Sequence, residues 1–108
     1  MIDTLPDHLK IIKNILAEHV PGCKVLAFGS RVTWTAKKYS DLDLVIVSAM
    51  PLSPLTMALM KEDFSESDLP FKVDVLDWAT TSEEFRRVIE NKCEVLQEAK
   101  RGVAGQGR

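Results

Sequence analysis

Two short apolar runs constrain this chain more than any other feature. Lys24–Phe28 stops at Gly29-Ser30, and Asp41–Val47 opens on two aspartates. Runs of this length, rich in Val, Ile, Leu and Phe, suit buried strands, and a glycine directly behind one marks a tight turn. Such strands need an apolar cover. Leu9, Ile12, Ile15, Leu16 and Val20 recur at helical spacing behind Thr4 and Asp7, which resemble a capping box, and Pro21-Gly22 halt them, so a helix is predicted over residues 5 to 19. Phe71, Val73 and Val75 alternate with Lys72, Asp74 and Leu76 behind the turn Asp68-Leu69-Pro70, the pattern of a third strand. Met50 to Pro54 reads as loop and Leu55, Leu59, Met60 and Phe64 as a short helix. Thr81 with Glu84 forms a second capping box, opening a helix whose apolar face is Phe85, Val88, Ile89 and Leu96.

This element order predicts an α+β (or α/β) domain with a small sheet of three to four strands; strand pairing and direction do not follow from it. The 108 residues, 45% of them hydrophobic, suffice for one core, placed at residues 1-100, while Gly102, Gly105 and Gly107 without apolar period make 101-108 a disordered tail. A core this small leaves little chain for an elaborate substrate cavity, so the substrate is expected to be held partly by another molecule. The formal net charge of -2, with only Arg31, Lys37 and Lys38 clustered, disfavours a nucleic-acid backbone as partner. Cys23 and Cys93 stand seventy positions apart without metal-ligand spacing, which fits a reduced, cytoplasmic setting. No apolar run reaches the roughly 18 residues of a membrane span, and no basic-then-apolar leader is visible, so a soluble protein that is not exported is expected.

The aspartates carry the chemistry. Asp41 and Asp43, at i and i+2 on a strand, point to one face about 7 Å apart at their Cα atoms. Like charges so placed must stay hydrated, take up a proton, or share a hard divalent cation with oxygen ligands. Asp74 lies on the same strand face as Lys72 and Leu76. If its strand lies beside the second, three carboxylates converge in the arrangement that one or two Mg²⁺ ions need for in-line phosphoryl chemistry, with Asp74 on the attacking side as metal ligand and possible general base. Asp77, at an odd offset, belongs to the opposite face and suits a cap. The Gly29-Ser30 turn into a helix start presents N–H groups, a hydroxyl and the helix dipole to a phosphate, with Arg31, Lys37 and Lys38 near in sequence. His8 and His19 read as surface histidines, and Trp34 and Trp78 as packing residues. P-loop and dinucleotide fingerprints are absent, so nucleotide binding rests on the Gly-Ser turn.

Gly29-Ser30, ten residues, then Asp41-Leu42-Asp43, in the string GSRVTWTAKKYSDLDLVIV, resembles the GS-x10-DxD signature of the minimal nucleotidyltransferases of the DNA polymerase β superfamily. Asp74 in FKVDVLDW is similar to that family's third carboxylate, and the resemblance runs from about residue 9 to residue 97. It implies the nucleotidyltransferase fold, a small mixed sheet flanked by helices. It further implies phosphate contacts at Gly29 and Ser30 and Mg²⁺ at Asp41, Asp43 and Asp74, with ATP or another NTP as substrate. A HEPN-type four-helix-bundle partner encoded nearby, in a hetero-oligomer, is also implied. In some such pairs the nucleotidyltransferase is an antitoxin that adds AMP to a tyrosine of an RNase toxin; in others the helical protein binds a small-molecule acceptor. A non-catalytic, partner-binding module is the third possibility. The sequence departs from the family at Trp34, where a small residue, often glycine, is common.

Overall fold

A computed structural model of the protein describes residues 2–99, so the tail assigned to 101-108 lies outside the described residues. The elements run α1 (Pro6–His19), β1 (Lys24–Phe28), α2 (Ser30–Thr33), β2 (Leu42–Val47), α3 (Pro54–Glu66), β3 (Val73–Asp77), a 3₁₀ turn Trp78–Thr80, α4 (Glu83–Asn91) and β4 (Glu94–Gln97). The four strands form a mixed sheet in the order β3-β2-β1-β4. β1 lies antiparallel to both neighbours and β2 parallel to β3. A parallel pair needs a long crossover, and α3 is that crossover.

Alternation along the strands divides the core in two. Val25, Ala27, Leu42, Leu44, Ile46, Val73 and Val75 face α1 and α3, meeting Ile12, Leu16, Met60 and Phe64. Leu26, Phe28 and Val45 face the other way, against Ile89 of α4. The central strands β1 and β2 are thus covered on both faces, which explains why their sequence reads as near-continuous hydrophobic runs.

The helix ends differ from the sequence expectation. Pro6 occupies the first turn of α1 and makes Leu5 the N-cap, without a side-chain cap bond. Thr4 therefore stands one residue too early to cap, and its buried hydroxyl has no hydrogen-bond partner among the described residues. At α4 the cap is Ser82, whose Oγ accepts from the Phe85 N–H at 3.2 Å. The neighbouring Thr81 hydroxyl donates instead to the Asp77 carbonyl at 2.7 Å. The last helix also ends sooner than its apolar periodicity suggests: Leu96 lies in β4, and Val88 is 62% exposed. That short edge strand is secured to the α1–β1 turn by Gln97, whose Nε2 donates to the carbonyls of Val20 (2.7 Å) and Cys23 (2.8 Å). The mid-chain helix, in contrast, is longer than its few apolar positions suggest, since Ser53 caps it and Pro54 opens it.

Leu44 sits fully buried on the central strand, under both α1 and α3. Leu44→Ala is expected to lower the unfolding free energy by about 2–5 kcal/mol, through lost transfer energy and the cavity left behind, as read from urea denaturation.

Candidate active site

The parallel register of β2 and β3 sets Asp43 directly beside Asp74, and the antiparallel register of β1 and β2 sets Asp43 beside Phe28, the residue before Gly29. Directly paired residues point to the same face, here the one that carries Val45 and is partly covered by α4. Asp41 precedes β2 by one residue, and it and Asp74 are exposed while Asp43 is half-buried. The Asp43 carboxyl is pushed above the ordinary carboxylate range, first by burial, then by the charges of Asp74 and Asp41. The three acids therefore share one electrostatic neighbourhood, and none of these effects favours the ionised form.

Gly29 brings the Gly-Ser turn against this cluster. Its backbone, at φ 85° and ψ -159°, lies in a region essentially reserved for glycine. A Cβ placed there would run into the Asp43 carboxylate. The strand-ending glycine thus serves two needs: it turns the chain, and it lets a carboxylate lie against bare main chain. Behind it, the N–H groups of Val32 (3.0 Å) and Thr33 (3.1 Å) close on the Gly29 carbonyl to start α2. This helix is a single turn, Ser30–Thr33, so its dipole is much smaller than the sequence reading assumed. Attraction for an anion would have to come from the N–H groups at its start and from the Ser30 hydroxyl.

Arg31 points inward, at 6% exposure. Its Nε donates to the Ser40 carbonyl (2.9 Å), Nη1 to that of Asp3 (2.8 Å) and Nη2 to that of Lys38 (3.1 Å). The guanidinium also lies over the Phe71 ring, 4.0 Å from its centroid. The side chain therefore fastens the N-terminal segment and the loop that delivers Asp41, rather than opening toward the turn. Lys37 and Lys38 are exposed in that same loop. Trp34 ends α2 in the left-handed conformation, φ 61° and ψ 32°, 60% exposed. Glycine adopts this conformation without steric cost, so the backbone here suits glycine and Trp34 occupies it with some strain.

Other singled-out residues lie apart. Asp77 faces the opposite side and works as a cap, accepting from the N–H groups of Leu52 (2.8 Å) and Ala79 (3.0 Å). Trp78 receives the Arg86 side chain at its carbonyl and over its ring. The histidines are more engaged than surface residues: His8 packs edge-on against Phe71, and His19, largely buried, bonds Asp63 of α3. With Glu18, these two form a group whose ligand-type atoms lie within 4.8 Å of one another. Sequence reasoning missed it because α1 meets α3 only through the tertiary fold. Asp41, Asp43 and Asp74 are not drawn that close. They nevertheless suit a hard cation, because all three offer oxygen, and the two outer ones are exposed side chains able to rotate inward.

A four-stranded mixed sheet with helices on both faces, carrying two in-register strand carboxylates beside a strand-ending Gly-Ser turn, defines a nucleotidyltransferase-type domain. Residues 10–101 match the family described as "Polymerase beta, Nucleotidyltransferase", and the chain belongs to it. It is 54% identical over 102 residues, covering 94% of this chain and 90% of the relative, to a Haemophilus influenzae protein described as "Probable protein adenylyltransferase MntA". Its fold is similar to that in a crystal structure of a toxin–antitoxin with AMP-PNP (TM-score 0.72, 20% identity, 85% of this chain and 74% of that one). It is also similar to that in a complex of tri-AMPylated Shewanella oneidensis HEPN toxin with MNT antitoxin (TM-score 0.61, 19% identity, 84% and 73%). Among the described residues, no helix is long and apolar enough to cross a membrane.

Two stability measurements check this geometry. Because the folded state raises the Asp43 pKa, stability is full below the unfolded value, about 3.9, and is lost as pH rises through the folded one. Asp43→Asn is therefore expected to raise the Tm of the metal-free protein at neutral pH, with the gain vanishing below about pH 4. Arg31→Ala should cost about 2–4 kcal/mol, since it leaves three carbonyls without their donor, whereas an exposed phosphate-contacting arginine would cost almost nothing.

Proposed function

We propose that this chain is a Mg²⁺-dependent protein adenylyltransferase that moves AMP from ATP to a tyrosine hydroxyl of a HEPN-type four-helix-bundle partner, as the antitoxin of a toxin–antitoxin pair working in the cytoplasm. The observation that carries the reading is the direct pairing of Asp43 with Asp74 beside the Gly29 turn. The high identity to a relative described as a protein adenylyltransferase supports the acceptor class, and the fold shared with antitoxins complexed to their toxins supports the partner.

In this reading the triphosphate lies on the Gly29-Ser30 turn, held by N–H groups at the start of α2, the Arg31 main chain among them, and by the Ser30 hydroxyl. Asp41 and Asp43 meet the nucleotide side of the site, and Asp74 meets the acceptor side. One or two Mg²⁺ ions held by these carboxylates would lower the pKa of the attacking hydroxyl and neutralise charge on the triphosphate. Arg31 acts mainly by holding the loop from which Asp41 projects. The acceptor oxygen forms a bond to the α-phosphorus while the α–β anhydride bond breaks. Pyrophosphate leaves, and Asp74 receives the hydroxyl proton. The limited cavity of so small a core suits an acceptor that its own fold presents.

Incubated with the helical partner, ATP and Mg²⁺, the wild-type chain is expected to raise the partner's mass by one or more AMP units. Asp43→Asn and Asp74→Asn should reduce that labelling to background. A partner whose mass is the same with wild type and with either variant would refute the assignment.

A further inference from the structure

Among the described residues, one group of metal-ligating side chains lies outside the acidic triad, on the two helices that cover the opposite face of the sheet. Glu18 and His19 are the final residues of α1, and Asp63 stands in the last turn of α3. Their ligand-type atoms all lie within 4.8 Å of one another. The His19 ring is largely buried, and its Nε2 meets Asp63 Oδ2 at 2.5 Å. Glu18 is exposed and can turn toward that pair. The electrostatics of the spot call independently for a cation. Two helix C-termini meet there, each carrying partial negative charge on its free carbonyls, and both carboxylates lie where a helix dipole disfavours them. No lysine or arginine forms an ion pair with Glu18 or Asp63 among the described residues. A protonated His19 offsets one negative charge, but not two carboxylates together with two helix ends.

We infer that Glu18, His19 and Asp63 form a site for a transition-metal ion of the Zn²⁺ type, which joins the end of α1 to the end of α3. One imidazole nitrogen and two carboxylate oxygens make a mixed set that suits zinc, whereas the all-oxygen triad suits Mg²⁺. Two ligands of one tetrahedral zinc stand about 3.3 Å apart, so His19 Nε2 and Asp63 Oδ2 need to part by less than about 1 Å to admit the ion. Three protein ligands leave the fourth position to water. The role is structural, since α1 and α3 together cover the main core of the sheet, and an ion that binds only the folded chain stabilises it. The site is independent of the AMP-transfer reading.

The test uses the untagged full chain, stripped of metal, with Zn²⁺ alone as the probe and Asp43→Asn/Asp74→Asn as background, so that the triad does not compete for the ion. Titration against a chromophoric chelator is expected to show one zinc ion bound per chain, undisturbed by an excess of Mg²⁺. Zinc at about one hundred times its dissociation constant should raise the Tm by about 10 °C. Glu18→Gln, at an exposed residue, keeps the fold and is expected to weaken zinc binding by about ten-fold or more, since even the outer partners of metal ligands are worth that much. His19→Gln should abolish binding; where that change loosens the metal-free fold, seen by circular dichroism, the Glu18→Gln titration decides alone. A background protein that takes up no zinc or gains no Tm from it overturns the inference. So does zinc binding that is undiminished in Glu18→Gln, or that Mg²⁺ displaces at similar concentration.

Discussion

The half-buried carboxylate of Asp43, hemmed by two other acids and pressed against the bare main chain of Gly29, is the constraint around which the rest of the molecule is arranged. To hold a charge in such a place, the strand that bears it must be fixed on both sides. β2 therefore lies between β1, which brings the glycine turn, and β3, which brings Asp74. Removing either neighbour would take the glycine turn or Asp74 away from Asp43.

That arrangement works against stability, so the compensating contribution comes from elsewhere. The large buried side chains lie mainly on the α1/α3 face of the sheet, whereas the acidic face carries only the smaller cluster beneath α4. Separating a packing face from a chemical face allows the core to be tight without crowding the carboxylates. Arg31 joins the two. Its guanidinium reaches from the one-turn helix behind the glycine to the loop that leads into β2, so the turn and the first aspartate cannot shift independently.

Much of this was legible in the sequence, for local reasons. Lys24–Phe28 and its glycine stop, the DxD opening of β2 and the alternation around Asp74 are short-range patterns, and the strands fall where those patterns lie. The parity that set Asp77 on the other face was equally local. What escaped depended on competition or on distance. The helices α1 and α4 each start one residue later than their capping boxes suggest, with Leu5 ahead of Pro6 and Ser82 as the N-caps in place of Thr4 and Thr81. β4, four residues at an edge, gave too little pattern to separate it from the end of a helix; its pairing with β1 and the long-range bonds of Gln97 hold it in place. The inward course of the Arg31 side chain and the meeting of His19 with Asp63 are products of tertiary packing, and no spacing along the chain encodes them.

Trp34 terminates the one-turn helix that begins at Ser30, with its ring largely in solvent. Indole emission responds to the polarity and mobility of its surroundings, so this position doubles as a natural optical probe, placed one helical turn from where a triphosphate would settle. The other indole, at Trp78, follows the third strand and is shielded beside Arg86. The two fluorophores thus view opposite ends of the sheet, and a nucleotide arriving at the turn would alter the spectrum of one and leave the other as an internal reference.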